Sequence, residues 1–253
     1  MQAISNVIGA ILRFIYENIQ QMFSEPKNIS YFAISIIVLT VIYKLATLPV
    51  TFSNIKMQKV NAKMAPEMKK IQETYKNDPQ TQQRKMAELQ KEHGFNPLSS
   101  CLPMIIQMIV VFALFRVMRE PAKYMFDNAE MIGSINKNFL WIKDLTLPDK
   151  VLWGLPLING ISQFFLFNIM QPPQTEGAGG EMAQSMNASM KYVMPLFIAW
   201  TSTTLSAGLA LYWAIGNIIE IVIRLIIKAF DKDEKANKKI NKTNTKKAKK
   251  GAK

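Results

Sequence analysis

Lys44 stands inside an apolar run, Tyr31 to Pro49 (YFAISIIVLTVIYKLATLP), that is long enough to cross a bilayer as a helix. An ammonium group at membrane depth costs roughly 2.5–3.5 kcal/mol even on the gentler insertion scales, so it faces protein, water or a nearby interface. Thr40, Lys44, Thr47 and Thr51 recur at i, i+4, i+7 and i+11, which aligns them on one helix face. A second stripe of the same spacing, Trp213, Asn217, Glu220 and Arg224, again contains charge. Gln107, Gln163 and Thr201 place polar side chains in three further apolar runs. Two readings of Lys44 stand side by side. Its long stem snorkels to the nearer interface, or the threonine stripe and its cation line a wet cavity. The chemistry of such a cavity is attraction of carboxylates and hydration of polar groups within the bilayer.

Covalent chemistry has little to work with. The single histidine, His93, lies in a charged stretch away from every serine of the apolar runs, which removes a Ser–His pair. The single cysteine, Cys101, allows neither an intrachain disulfide nor a cysteine metal cluster. No G-x-x-x-x-G-K-[ST] loop occurs, so no ATP site of that kind is expected. No cofactor, metal or enzymatic activity is expected.

The elements that must position these residues are membrane helices. The mean hydropathy of +0.05 averages near-continuous apolar runs with dense lysine segments, the pattern of a polytopic membrane protein. Residues 1–27 form an amphipathic helix, with Ile4, Ile8, Ile11, Ile15 and Ile19 at helical spacing, lying in the interface or packed on the bundle. No basic stretch precedes its apolar part, so no cleaved signal is expected. The first span covers 28–52. A hairpin follows over 53–97, with Met57, Val60, Met64, Met68, Ile71 and Tyr75 as the seam, a turn at Asn77-Asp78-Pro79 and a kink expected at Pro66. The second span covers 98–118, an extracytoplasmic segment 119–150, the third span 151–170 and a cytoplasmic loop 171–190. The last apolar block splits into 191–205 and 208–228. The tail, 229–253, is basic and low in complexity, and is expected to be disordered in isolation. The lysine-rich hairpin and tail belong inside by the positive-inside bias, with the N-terminus outside. The formal charge of +13 therefore concerns partners: anionic lipid or phosphate-rich RNA for the tail lysines Lys246, Lys247, Lys249 and Lys250, or a plain topology signal.

Five stretches in this order resemble one known family: YKLATLPV around Lys44, KMAPEMKKIQETYK in the hairpin, NPLSSCLPMIIQMIVVFALF, NFLWIKDLTLPD, and MKYVMPLF with SAGLALYWAIGN. They are similar to the YidC/Oxa1/Alb3 membrane protein insertases, in the short bacterial form, and cover nearly everything from Ile34 to Arg224. The resemblance implies an all-α membrane protein of five transmembrane helices around a hydrophilic groove open to the cytoplasm and lipid and closed outside. The groove residues it implies are Lys44, Thr40, Thr47, Gln107, Gln163, Thr201, Trp213, Asn217 and Glu220. A nascent chain's polar end would enter that groove while its apolar segment slides into lipid. Implied partners are nascent membrane proteins, the ribosome, the signal recognition particle and its receptor, the Sec translocon and anionic lipids, but not DNA. The implied location is the bacterial cell membrane.

This sequence departs from the family at Lys44, where arginine is usual, so the charge remains without the planar five-donor fork. It departs again at Ser206, where proline is frequent, which predicts a less sharply fixed turn before the last span. No cysteine near the start offers a lipid anchor of the kind frequent in Gram-positive relatives. A rival reading from the residues is a small ion or solute transporter with Lys44 and Glu220 in its pathway. Transporters more often show repeats with broken helices, and no repeat is visible here.

Overall fold

Apolar segments that lack water for their amides must satisfy them within helices, and every regular element among the described residues is helical. The computed structural model describes residues 2–95, 97–126, 133, 135–170 and 188–251, with the side chains at 97–101, 103 and 231–251 outside that description. Residues 171–187 of the expected cytoplasmic loop also lie outside it.

The N-terminal helix α1 (Gln2–Met22) buries Ser5, Ile8, Gly9, Leu12, Ile15, Tyr16 and Ile19. Of the five spaced isoleucines, Ile4 and Ile11 are on the exposed edge, so the buried stripe is rotated from the one they mark. It packs on α2 (Tyr31–Ala46), α5 (Pro97–Arg119) and the single turn α6 (Pro121–Tyr124). The packed alternative is therefore the one realised. Gly9 makes it possible, because a Cβ there would collide with the backbone carbonyl of Tyr124.

Ser30 caps α2 by accepting a hydrogen bond from the Ala33 amide at 3.2 Å. The Ser30 hydroxyl donates to the carbonyl of Asn138 at 2.8 Å, tying the start of α2 to the segment before the third span. At its other end α2 stops at Ala46, six residues short of the expected limit, and α3 (Leu48–Thr74) leaves at a 55° bend. Pro49 explains the break: it has no amide hydrogen and crowds the preceding turn. The Thr47 hydroxyl donates to the carbonyls of Tyr43 (2.9 Å) and Lys44 (3.2 Å), partly replacing the lost helical bonding.

The hairpin thus begins at the bend rather than at residue 53. Helix α3 runs unbroken through Pro66, which sits on an exposed face where a missing ladder bond is made good by water. Helix α4 (Pro79–Glu92) returns antiparallel to it. The Gln82 amide reaches the Gln72 carbonyl at 3.2 Å, and His93 and Glu67 stand 3.9 Å apart. Asp78 caps α4 through the Thr81 amide, and the Thr81 hydrogen bonds hold its carboxyl below the ordinary carboxylate range. Only Met64 and Leu89 of this hairpin are fully buried.

The second span, α5, matches its expected limits to within a residue. The third, α7 (Leu155–Met170), starts four residues later than expected. The delay comes from Asp149, whose carboxylate accepts from the Val151 amide, the Leu155 amide and the Trp141 indole at 3.0, 2.9 and 3.1 Å. The fourth opens as a π turn (Ser189–Val193) and continues as α8 (Met194–Ser202), ending three residues early. Pro195 cannot donate to the carbonyl of Lys191, and the wider turn accommodates that loss.

Helix α9 (Ala207–Gly251) covers the expected fifth span and continues into the tail, which was expected to be disordered in isolation. Lys, Ala, Glu and Asp follow an already formed helix, so each added residue needs propagation only and no new nucleus. The turn before α9 is well fixed despite Ser206. The amides of Ala207 and Gly208 donate to the carbonyls of Leu147 (2.8 Å) and Leu145 (2.7 Å), which binds the loop to the helix start.

Among the described residues, Ala207–Phe230 is long and apolar enough to cross a membrane alone, and α2 with α3 qualifies as a bent pair. Helix α7, of 16 residues, is apolar but shorter. Large apolar side chains stand exposed on α5 (Met104, Met108, Phe112), α8 (Leu196, Phe197, Trp200) and α9 (Val222, Leu225). Faces of that kind suit lipid rather than water.

Candidate functional site

The apolar core fills only one half of the bundle. In α2 it takes in Phe32, Ala33, Ile36 and Leu39, and beyond them Val41, Ile42 and Leu45 are exposed. In α5 the order is reversed along the chain: Leu102 to Phe112 contribute exposed apolar side chains, then Ala113, Leu114, Val117 and Met118 are buried. In α9 the core runs from Ala207 to Ala214. The apolar core therefore occupies the end holding Ser30, Met118 and Ala207, and the other end lacks it. Below the core, α9 buries polar groups instead: Asn217, Glu220 and Arg224.

These groups continue a column of side-chain hydrogen bonds along α9. Nearest the closed end, the Asn159 amide donates to Ser202 Oγ and to the Ala210 carbonyl, both at 3.0 Å. One turn on, Tyr43 donates to Gln107 Oε1 at 3.2 Å, and Gln107 Nε2 donates to the Tyr212 hydroxyl at 3.0 Å. The Asn217 amide then reaches Ser162 Oγ (3.1 Å) and Gln163 Oε1 (3.2 Å). At the other end Lys44 Nζ donates to Glu220 Oε2 at 3.2 Å, and Arg224 Nε donates to Glu220 Oε1 at 2.9 Å. Arg224 Nη1 also reaches Gln58 Oε1 (3.2 Å), and Gln58 Nε2 reaches Asn54 Oδ1 (2.8 Å) on α3. From Ala210 to Glu220 the column spans about 15 Å of helix rise.

Lys44 is neither snorkelling nor bare. Its side chain is 14% exposed and its ammonium faces a carboxylate. Lys44, Glu220 and Arg224 together leave one net positive charge, in surroundings where charges interact more strongly than in water. The space beside Lys44 is narrow because Gly216 lies opposite it: a Cβ there would sit 3.5 Å from Lys44 Cε and 3.8 Å from Thr40 Cγ2.

The residues expected to share a groove divide into three groups. Lys44, Gln107, Gln163, Asn217 and Glu220 join the column. Thr40 and Thr47 do not present free hydroxyls. Thr40 is fully buried and donates to the Ile36 carbonyl at 2.7 Å, while Thr47 is spent at the bend. The bend also takes Thr51 off the straight stripe. Thr201 donates to the Ile198 carbonyl in its own helix at 3.0 Å, beside the closed end, and does not share the depth of Lys44. Trp213 is half-buried and, among the described residues, stands outside the hydrogen-bonded column.

Sequence reasoning passed over Tyr43, Tyr212, Asn54 and Gln58 as site residues. Tyr43 adjoins Lys44, and Asn54 and Gln58 share a face at i, i+4; those spacings were the available signals. Two hollows, about 260 Å3 beside Tyr16, Tyr31 and Phe126 and about 420 Å3 beside Trp141 and Lys150, lie at the closed end, away from the column.

Known proteins resemble this chain in sequence and in fold. A family profile described as 60Kd inner membrane protein matches residues 23–235. The chain is 33% identical over 238 residues to the membrane protein insertase YidC of Clostridium tetani, spanning 94% of this chain and 99% of that protein. It is 31% identical over 227 residues to that of Fusobacterium nucleatum, spanning 90% and 98%. In fold it resembles a solved structure described as an active YidC insertase with the first transmembrane domain resolved. The TM-score is 0.53 at 24% identity, covering 76% of this chain and 41% of that one.

Proposed function

This chain belongs to the YidC/Oxa1 family of membrane protein insertases, and from that premise we propose how its own residues carry the work. Its function is insertion of membrane proteins, without enzymatic chemistry. Five spans surround a groove that opens to the cytoplasm and to lipid and is sealed on the outer side. The observation that supports this is the change along α9 from apolar core to buried polar groups, where α2 and α5 turn exposed apolar side chains outward. A bundle with an apolar core at one end and polar groups at the other favours entry of a polar segment from the polar end.

The polar end of a nascent chain enters at the polar end of the bundle and exchanges water for the side chains of Gln107, Gln163, Asn217 and Lys44. That exchange lowers the cost of holding polar groups within the bilayer. Acidic groups are drawn toward the net positive charge at Lys44. The apolar segment meanwhile passes along exposed apolar faces into lipid, driven by removal of its surface from water. The test is reconstitution: purified protein in liposomes should insert a single-span peptide in proportion to protein, without a nucleotide. Solute flux without insertion would favour a transporter.

The orientation that fits is N-terminus outside and α3, α4 and the C-terminal half of α9 in the cytoplasm of a bacterial cell. A cysteine at Asn136 should react with an impermeant thiol reagent in intact cells, and cysteines at Lys69 and Lys242 should not. Labelling at Lys69 would invert the assignment.

The C-terminal part of α9 carries Lys246, Lys247, Lys249 and Lys250 about 30 Å beyond Lys228 along a helix. That reach exceeds a Debye length of roughly 8 Å and favours ribosomal RNA over lipid headgroups as the counter-surface. Truncation after Lys228 should weaken ribosome co-sedimentation, and full-length binding should fall steeply with salt. Unchanged, salt-insensitive binding would remove this role. The signal recognition particle, its receptor and the Sec translocon are further proposed partners on the cytoplasmic face, testable by crosslinking from Lys69.

A further inference from the structure

Glu220 holds two cations at once, and the two contacts differ in kind. Glu220 and Arg224 are i, i+4 on one helix, so their 2.9 Å bond is assembled whenever α9 is helical. Gln58 on α3 braces the far side of Arg224. Lys44 arrives from α2, and its 3.2 Å bond to Glu220 exists only at the present separation of the two helices. Each carboxylate oxygen has one cation: Oε1 has Arg224 and Oε2 has Lys44.

Loss of one partner normally strands a buried charge. Here that does not follow on the α2 side. A carboxylate brought beside Lys44 replaces one charge-assisted hydrogen bond with another, and Glu220 stays bound to Arg224. The Lys44–Glu220 contact is thus exchangeable, while the Glu220–Arg224 contact is permanent. A basic side chain brought to the same place meets a carboxylate instead of a bare ammonium.

Resting on the groove reading above, we propose that Glu220 is a specificity-determining residue for insertion. It competes with the substrate's acidic groups for Lys44, and its Oε2, which Lys44 occupies, retains a second lone pair for basic ones. The site therefore accepts polar ends of either sign, and it favours acidic ends less than Lys44 and Arg224 alone would.

The test uses the full chain in proteoliposomes and single-span substrates that differ only in whether the translocated end is acidic or basic. In Glu220→Gln the ratio of acidic to basic insertion should rise about tenfold, the effect of one contact of roughly 1.4 kcal/mol. Two unpaired buried cations can compromise folding in that variant. The double variant Glu220→Gln, Arg224→Gln removes one charge of each sign and should move the ratio the same way. Membrane accumulation and helix content are measured for both. A ratio within about twofold of wild type in a folded variant overturns the role of Glu220 and leaves the insertase reading intact. If Lys44→Ala also leaves the ratio unmoved, the groove-cation reading falls, and the role of Glu220 falls with it.

Discussion

Lys44→Glu is expected to reduce insertion of a substrate with an acidic translocated end by about 100-fold, the effect of roughly 2.8 kcal/mol. Two consequences of the geometry combine. The incoming carboxylate of residue 44 would stand beside Glu220, now 3.2 Å from the Lys44 ammonium, so an attraction becomes a repulsion between like charges. The three-residue cluster changes from one net positive charge to one net negative charge, which repels the acidic end it now draws in. Lys44→Arg should retain most insertion, because charge and reach persist and the guanidinium can still bond Glu220. The assay is protein-dependent insertion into liposomes, with membrane accumulation measured in parallel. The charge exchange Lys44→Glu, Glu220→Lys keeps an ion pair between α2 and α9 and one net positive charge, so it should recover insertion of acidic ends above the Lys44→Glu level. Full insertion activity of Lys44→Glu on acidic substrates would refute the electrostatic role.

Gly9→Val is expected to destabilise the bundle by at least about 3 kcal/mol, the upper range for overpacking of a core. A side chain at Gly9 meets the carbonyl of Tyr124, which is backbone and cannot rotate away as a flexible side chain would. Relief requires α1 to lift from α6, and lifting it uncovers Leu12 and Tyr16, which are almost fully buried. Thermal unfolding in detergent should show a lowered midpoint, and limited proteolysis should release α1. Val7→Ala serves as the control on the same helix. Val7 is 58% exposed, so its truncation should change stability by no more than about 0.5 kcal/mol. If Gly9→Val unfolds with the wild-type midpoint, α1 is not part of the packed bundle, and an interfacial helix becomes the better description.

The two experiments probe different halves of the molecule. Gly9 belongs to the closed half, where apolar packing of α1, α2, α5 and α9 holds the helices together. Lys44 belongs to the polar half, where hydrogen bonds and ion pairs replace that packing. A polar half of this kind costs stability relative to an apolar core of similar volume. That cost is the expected signature of a site built for an incoming polar chain.

Much of this was determined by the sequence alone. Apolar length and helical spacing are properties of contiguous residues, so the helices, the polar stripes and the antiparallel hairpin could be read without tertiary information. Helix α5 lies within a residue of the limits expected for it, and Asn217, Glu220 and Arg224 do share one buried face. The order of five motifs carried the family. Tertiary structure decided how the faces meet, since the relative rotation and tilt of two helices depend on residues far apart in the chain. Lys44 and Glu220 are separated by 176 residues, and spacing alone could not show that one carboxylate stands between two cations. The same reason accounts for Gly9, whose smallness matters only because Tyr124 lies against it. It also accounts for Thr40 and Thr201, which line a helix face on paper but give their hydroxyls to carbonyls of their own helices. A periodic pattern states which side of a helix is polar. Whether that side holds water, a backbone carbonyl or an opposite charge depends on the neighbour that packs against it.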